Sequence, residues 1–230
     1  MLEAEFDAFS ESYREQHRAS VAFGGFELDY FAQYKAEVAK ICCEKAGIIP
    51  QSIIDFGAGI GNAVRPLRSA FPDAAIKCVD VSEDSLRHCE ALKVNNSTVH
   101  VYDGVQLPFS DESIDFAFTA CVFHHIPARD HVMLLAEIRR CLKPNGMMVL
   151  FEHNPLNPLT QLAVARCPFD ENAVLIHSRE MKKRFVAAGF RDVRSRFRIF
   201  FPGFLSRFRV FEQKLEAVPL GGQYYVVARR

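Results

Sequence analysis

Short β-branched runs alternate with amphipathic stretches along most of the chain, a pattern that predicts a parallel sheet flanked by helices. Ser52–Phe56 reads as a first strand, followed by Ala75–Val81, Thr98–Tyr102, Ile114–Thr119 and Met147–Phe151, with Val193–Phe200 and Tyr224–Ala228 as a closing antiparallel pair. Between them, Asn62–Ala70 suits a helix stopped by Phe71-Pro72-Asp73, and Ser82 caps a helix centred on Ser85–Leu92. The clearest helix is His131–Leu142, which puts Val132, Leu135, Ile138 and Leu142 on one apolar stripe before Lys143-Pro144-Asn145-Gly146 ends it. Ser178–Ala188 predicts a later helix, after the turn-rich Asn154–Pro158. Residues 201–222, rich in Phe and Arg, are too long for a hairpin turn and read as a lid or substrate insertion.

The length of 230 residues and the 49% hydrophobic content suit one α/β domain with decorations. Lys plus Arg equal Asp plus Glu at 28 each, so no net field favours nucleic acid or an anionic membrane, and a small-molecule partner is expected. Residues Met1–Glu15 lack a basic-then-apolar leader, and no run approaches the roughly 20 apolar residues that cross a bilayer, which predicts a cytoplasmic protein. Seven cysteines without CxxC spacing argue against a disulfide framework and against zinc, and most are expected to be buried small hydrophobes. Monomer and homodimer are both open.

The most informative stretch is Ile53-Ile54-Asp55-Phe56-Gly57-Ala58-Gly59-Ile60-Gly61-Asn62, a hydrophobic strand entering three alternating glycines and then a helix. Glycines there permit a tight turn and close backbone approach to a ligand at a helix N-terminus, although a purely structural turn has the same look. Asp80 lies 19 residues beyond Gly61, at the end of the second strand, where a carboxylate can accept both hydroxyls of a ribose; the alternative is a cap for the helix after it. Asn62 replaces the third glycine of a dinucleotide fingerprint, which disfavours a nicotinamide enzyme. Asp55, two residues before the first glycine, suits a ligand with a free amino group.

This run resembles motif I of the class I S-adenosylmethionine (SAM)-dependent methyltransferases, and from Gln51 to Glu152 the later pieces follow in that family's order. The resemblance implies a Rossmann-like, doubly wound, mostly parallel seven-stranded sheet with an antiparallel closing strand, helices on both faces and an N-terminal helical cap. Residues 1–50 would be the cap over the cofactor site, and 51–230 the core. It further implies that Asp55, Gly57, Ala58, Gly59 and Gly61 hold the methionine end of SAM, Asp80 and Val81 the ribose, Asp103 and Gly104 the adenine, and that Ala120 lines the pocket. The Arg139–Gly146 run resembles the family's helix-to-strand turn. Asn145 stands there where glycine is commoner, a departure that fits because Asn tolerates the left-handed conformation.

The implied reaction is methyl transfer from SAM, leaving S-adenosylhomocysteine, to the oxygen or nitrogen of a small molecule, in a biosynthetic pathway. A noncatalytic SAM-binding or protein-interaction protein is the alternative. Ligands of open parallel sheets sit beyond the carboxyl ends of the strands, so His125 is the candidate base after the fourth strand, with packing against the cofactor pocket an equal alternative. Glu152 and His153, after the fifth strand, are candidates for binding the acceptor. Tyr13, in the aromatic N-terminal segment, and Arg198, in the Arg194/Arg196/Arg198 row on one strand face, are further acceptor-binding candidates. His124, His125 and His131 lack a matching acidic cluster on one face, so no metal is expected.

Overall fold

The computed structural model describes residues 28–230 apart from 168, 169, 171 and 202. Its elements are α1 (Leu28–Ala46), β1 (Ser52–Phe56), α2 (Val64–Ala70), β2 (Ala75–Asp80), α3 (Glu83–Glu90), β3 (Ser97–Val101), β4 (Ile114–Ala120), a 3-10 turn (Phe123–His125), α4 (His131–Cys141), β5 (Leu142–His153), α5 (Pro158–Ala165), α6 (Ser178–Ala187), β6 (Arg191–Arg198), a 3-10 segment (Gly203–Phe211), α7 (Glu212–Leu215) and β7 (Gln223–Arg229). The seven strands form one sheet in the order β3-β2-β1-β4-β5-β7-β6. Strands β1 to β5 pair in parallel, while β7 runs antiparallel to both β5 and β6. The Rossmann-like fold, with helices on both faces, is therefore the one expected. The order reverses at β1, whose neighbours are β2 on one side and β4 on the other, which is where such sheets open a binding crevice.

The two-residue period of the strands sorts the core into two layers. Ile54, Phe56, Met148, Leu150 and Tyr224 pack on one face with Leu135 and Ile138 of α4 and Phe185 of α6. Ile53, Phe116, Phe118, Val149 and Phe151 pack on the other with Ala39 of α1 and Leu67 of α2. Ser82 caps α3 as expected, its Oγ accepting from the Ser85 amide at 3.1 Å.

Several boundaries differ from the sequence reading; β6, for one, runs Arg191–Arg198 rather than Val193–Phe200. Helix α2 starts at Val64, because residues 59–63 remain in turns. Strand β3 is Ser97–Val101, one residue earlier than expected. Helix α4 ends at Cys141, and β5 begins at once, Leu142 pairing with Ile114 before a register shift. Asn145 is not left-handed: the 142–146 stretch is extended, and Gly146 is needed for closeness, since a Cβ there would lie 2.9 Å from the Lys143 carbonyl oxygen and 3.2 Å from that of Asp115.

The 201–222 segment is largely helical and is fastened to β6. The Phe197 amide donates to Glu216 O and the Gly222 amide to Ile199 O, both at 2.8 Å. The Arg209 guanidinium lies 4.1 Å from the Tyr30 ring of α1. All seven cysteines are free thiols, five of them buried. Among the described residues no helix is long and apolar enough to cross a membrane.

Candidate functional site

At the carboxyl end of β1 the chain turns through Gly57, Gly59 and Gly61, all with positive φ. The Gly57 and Ala58 amides donate to the Val79 carbonyl at 2.8 and 3.1 Å, laying the loop against β2. A Cβ on Gly57 would fall 2.4 Å from a Val122 methyl, so only glycine fits between the loop and the segment after β4. Gly61 is equally confined, by Cys89 and Leu92 of the α3 region, and so serves packing.

Asp80, at the end of β2, accepts from the Gly59 amide (2.8 Å) on one carboxylate oxygen and from the Ser82 amide (3.0 Å) on the other. Its carboxylate is thus oriented at the loop's edge while sharing in the start of α3. Asp55 lies beneath the loop, 2% exposed, and its Oδ2 has no hydrogen-bond partner. Burial, aided by the Asp80 charge, pushes the Asp55 carboxyl up to about 7. Beyond β3, Asp103 accepts from the Val105 and Gln106 amides at 2.9 and 2.8 Å, and these bonds hold its carboxyl below the usual range. Gly104 follows with positive φ, its Cβ position facing Val81.

The other half of the crevice holds a denser polar set. Cys121, directly after β4, adopts a left-handed φ of 60°, unusual outside glycine, and its amide donates to Phe151 O at 2.8 Å. Lys35 of α1, 8% exposed, donates from Nζ to Cys121 Sγ at 3.2 Å. Burial pushes this thiol up, but the Lys35 ammonium and the His153 imidazole outweigh it and bring the thiol down to about 7. Tyr34 Oη donates to Gln223 Oε1 at 2.6 Å, and Gln223 Nε2 lies 3.7 Å from the same sulfur.

Next to this set, Glu152 is 1% exposed and fully engaged. Its Oε1 accepts from the Phe123 amide at 2.8 Å and its Oε2 from His124 Nδ1 at 2.6 Å. Asp170 approaches from the loop between α5 and α6, its Oδ1 lying 3.3 Å from His124 Nε2 and 3.5 Å from His125 Nε2. Burial opposes charge on His124, yet Glu152 and Asp170 together hold it above the usual imidazole range. Burial and the neighbouring His124 push His125 down to about 4.

The structure therefore brings Asp55, the glycine loop, Asp80 and Val81 together on one side of the crevice, and His125, Glu152 and His153 on the other, with Ala120 between them at the end of β4. Arg198 is engaged elsewhere: it pairs with Glu216, at 12% side-chain exposure, although its Nε has no partner. Tyr13 lies outside the described residues. Sequence reasoning missed Lys35, Cys121, Asp170 and Gln223. Cys121 carried one signal, its position directly after the fourth strand. Lys35 and Asp170 carried none, because only the packing of α1 and of the 166–177 loop brings them in. The expectation that the histidines lack an acidic partner is corrected: Asp170 supplies one.

Residues 54–150 match the family model described as Methyltransferase domain. Among curated proteins, the chain is 30% identical to the demethylmenaquinone methyltransferase of Thermotoga maritima over 152 residues, 66% of this chain and 61% of that protein. It is 28% identical to the malonyl-[acyl-carrier protein] O-methyltransferase of Methylococcus capsulatus over 58% of this chain and 50% of that one. The chain thus spans about half to three fifths of the length of these relatives. A solved SAM-dependent methyltransferase of Thermotoga maritima shares the fold with a TM-score of 0.69 at 18% identity, covering 100% of this chain and 99% of its own.

Proposed function

We propose that this chain, which carries a class I SAM-dependent methyltransferase domain, transfers a methyl group from SAM to an oxygen or nitrogen of a small-molecule acceptor. The observation that carries this reading is Asp55: a buried carboxylate oxygen with no donor, beneath a glycine loop whose one edge is set by Asp80. An unpartnered buried acceptor costs about 1–3 kcal/mol, and an ammonium group offered from the crevice would satisfy it. The amino group of SAM fits Asp55, the ribose hydroxyls fit Asp80 with Val81 beside it, and the adenine fits the Asp103–Gly104 turn. Gly59, whose Cβ position faces open space, leaves room for the methionine end beside Gly57 and Ala58, and Ala120 forms a small side wall.

When bound, SAM supplies a methyl group already made electrophilic by the sulfonium. The chain then has to align an acceptor behind that methyl and exclude water, which is positioning chemistry. On this reading Lys35, Cys121, His153 and Gln223 form the polar floor of the acceptor pocket. His125 contacts the acceptor, and its low basicity favours holding over proton removal. Glu152, with both oxygens used, orients His124 and the backbone at Phe123. Residues 1–50 act as the cap, 51–230 as the core, and the 201–222 insertion as a wall that carries Arg198. A biosynthetic role follows from a small acceptor.

Calorimetric titration with SAM and S-adenosylhomocysteine tests the cofactor half. Asp80→Ala removes a charged acceptor of two hydrogen bonds and should weaken SAM by about 10–100-fold, at roughly 1.5–3 kcal/mol for such a group. Unchanged affinity in that variant, or no binding to the wild type, rejects the assignment. Turnover is then followed as S-adenosylhomocysteine release against panels of hydroxylated and amino acceptors.

A further inference from the structure

The 3-10 turn after β4 places two imidazoles side by side, their ring centroids 4.1 Å apart, and the 166–177 loop delivers a carboxylate to both. We propose that His124, His125 and Asp170 are the protein ligands of one divalent transition-metal ion of the zinc type, with Glu152 fixing His124 from behind.

Geometry carries the inference. The ligand atoms of the three residues lie within 4.8 Å of one another, and the two Nε2 atoms stand 3.3 and 3.5 Å from Asp170 Oδ1. Two donors bound at about 2.05 Å to a tetrahedral ion are about 3.3 Å apart, so the cluster has the spacing of a zinc site before any ion enters. His124 Nε2 is buried and, although it lies 3.3 Å from Asp170 Oδ1, makes no well-aligned hydrogen bond. Its Nδ1 meets Glu152 Oε2 at 2.6 Å, the carboxylate–histidine arrangement that leaves the other nitrogen's lone pair for a metal.

Charge points the same way. Asp170 and Glu152 place two carboxylates around two imidazoles, and a doubly positive ion entering in place of the proton on His124 would neutralise both. An N,N,O donor set selects zinc, cobalt or iron over magnesium or calcium, which prefer all-oxygen shells. His124 and Glu152 are sealed at 1% side-chain exposure, whereas Asp170 and His125 are 13% and 19% exposed, so an ion can reach the cluster from that side. The loop is held in place by its backbone, the Val174 amide donating to His124 O at 2.9 Å. The metal site does not depend on the methyl-transfer reading.

The test uses full-length, tag-free protein stripped by a chelator and measured without SAM. Zn2+ affinity is read by competition with a chromophoric chelator, and Co2+ is titrated for the visible absorption of a low-coordinate site. The expected result is one ion per chain. Asp170→Asn and His125→Ala, both at partly exposed positions, should each weaken binding at least about 100-fold, and Glu152→Gln about 10–100-fold. His88→Ala, remote and exposed, should change nothing. Absence of stoichiometric binding in the wild type overturns the proposal. So does binding that survives in both Asp170→Asn and His125→Ala, with circular dichroism confirming that these variants are folded.

Discussion

On the proposed reading, Asp55 is a single residue set against stability for the sake of a ligand. Its carboxyl is raised to about 7 by burial and by Asp80, so below that pH the folded chain without SAM prefers it neutral. The sign follows from linkage: an acid whose folded value lies above its ordinary 3.8 costs stability progressively as pH rises from about 4 to 7. Asp55→Asn should therefore flatten that part of the pH-stability profile and raise the melting temperature of the ligand-free protein at pH 8. The same variant should lose SAM. An ammonium ligand requires the ionised form, so wild-type SAM affinity should rise about fivefold between pH 6 and pH 7, the factor by which ionisation of a group near 7 increases. Calorimetry at the two pH values checks this, and a flat wild-type profile would remove Asp55 from the amino-group site. The sequence made Asp55 legible through its spacing from the glycines. That its Oδ2 has no donor was not legible, because it depends on what the neighbouring strands leave unfilled.

Single elements carry the proposed acceptor half. Helix α1 buries Ala36, Ala39 and Cys43 against the sheet, and on that buried side it also carries Lys35, an ammonium with a thiol for its hydrogen-bond partner. The end of β4 answers with Cys121 in a left-handed turn. Each supplies what stabilises the other: the ammonium favours the thiolate, and the thiolate offsets the burial of the ammonium. Thiolate absorbance near 240 nm, taken as wild type minus Cys121→Ser, should titrate near 7, and Lys35→Met should move that midpoint upward by at least one unit. A midpoint near 9 in the wild type would break the pair. Strand periods and the α4 stripe made most elements legible in order, but β5 begins at Leu142 rather than Met147 and α5 (Pro158–Ala165) was not foreseen, and a sequence pattern does not say which helix face meets which strand end. Lys35 and Asp170 act through that packing, so a reading of the sequence alone had no route to them.

At the scale of the whole molecule, the sheet order divides the labour. On the proposed reading, the loops after β1 and β2 build the cofactor side, while β5, β7, α1 and Asp170 build the other, with β4 as the shared wall. Tyr224 ties the second group together. Fully buried in β7 opposite Glu152, it donates from Oη to the Ile176 carbonyl at 2.8 Å and so fastens the end of the loop that presents Asp170. Tyr224→Phe leaves that carbonyl without its donor in a buried place, at a cost of about 1–3 kcal/mol. The melting temperature should fall accordingly, and Zn2+ affinity should fall with it because the Asp170 loop is released. SAM affinity should stay within about twofold, since neither Asp55 nor Asp80 touches this network. A variant that lost SAM and Zn2+ binding together would mean that the two halves are one cooperative site, and that the division by strand order describes the topology but not the energetics.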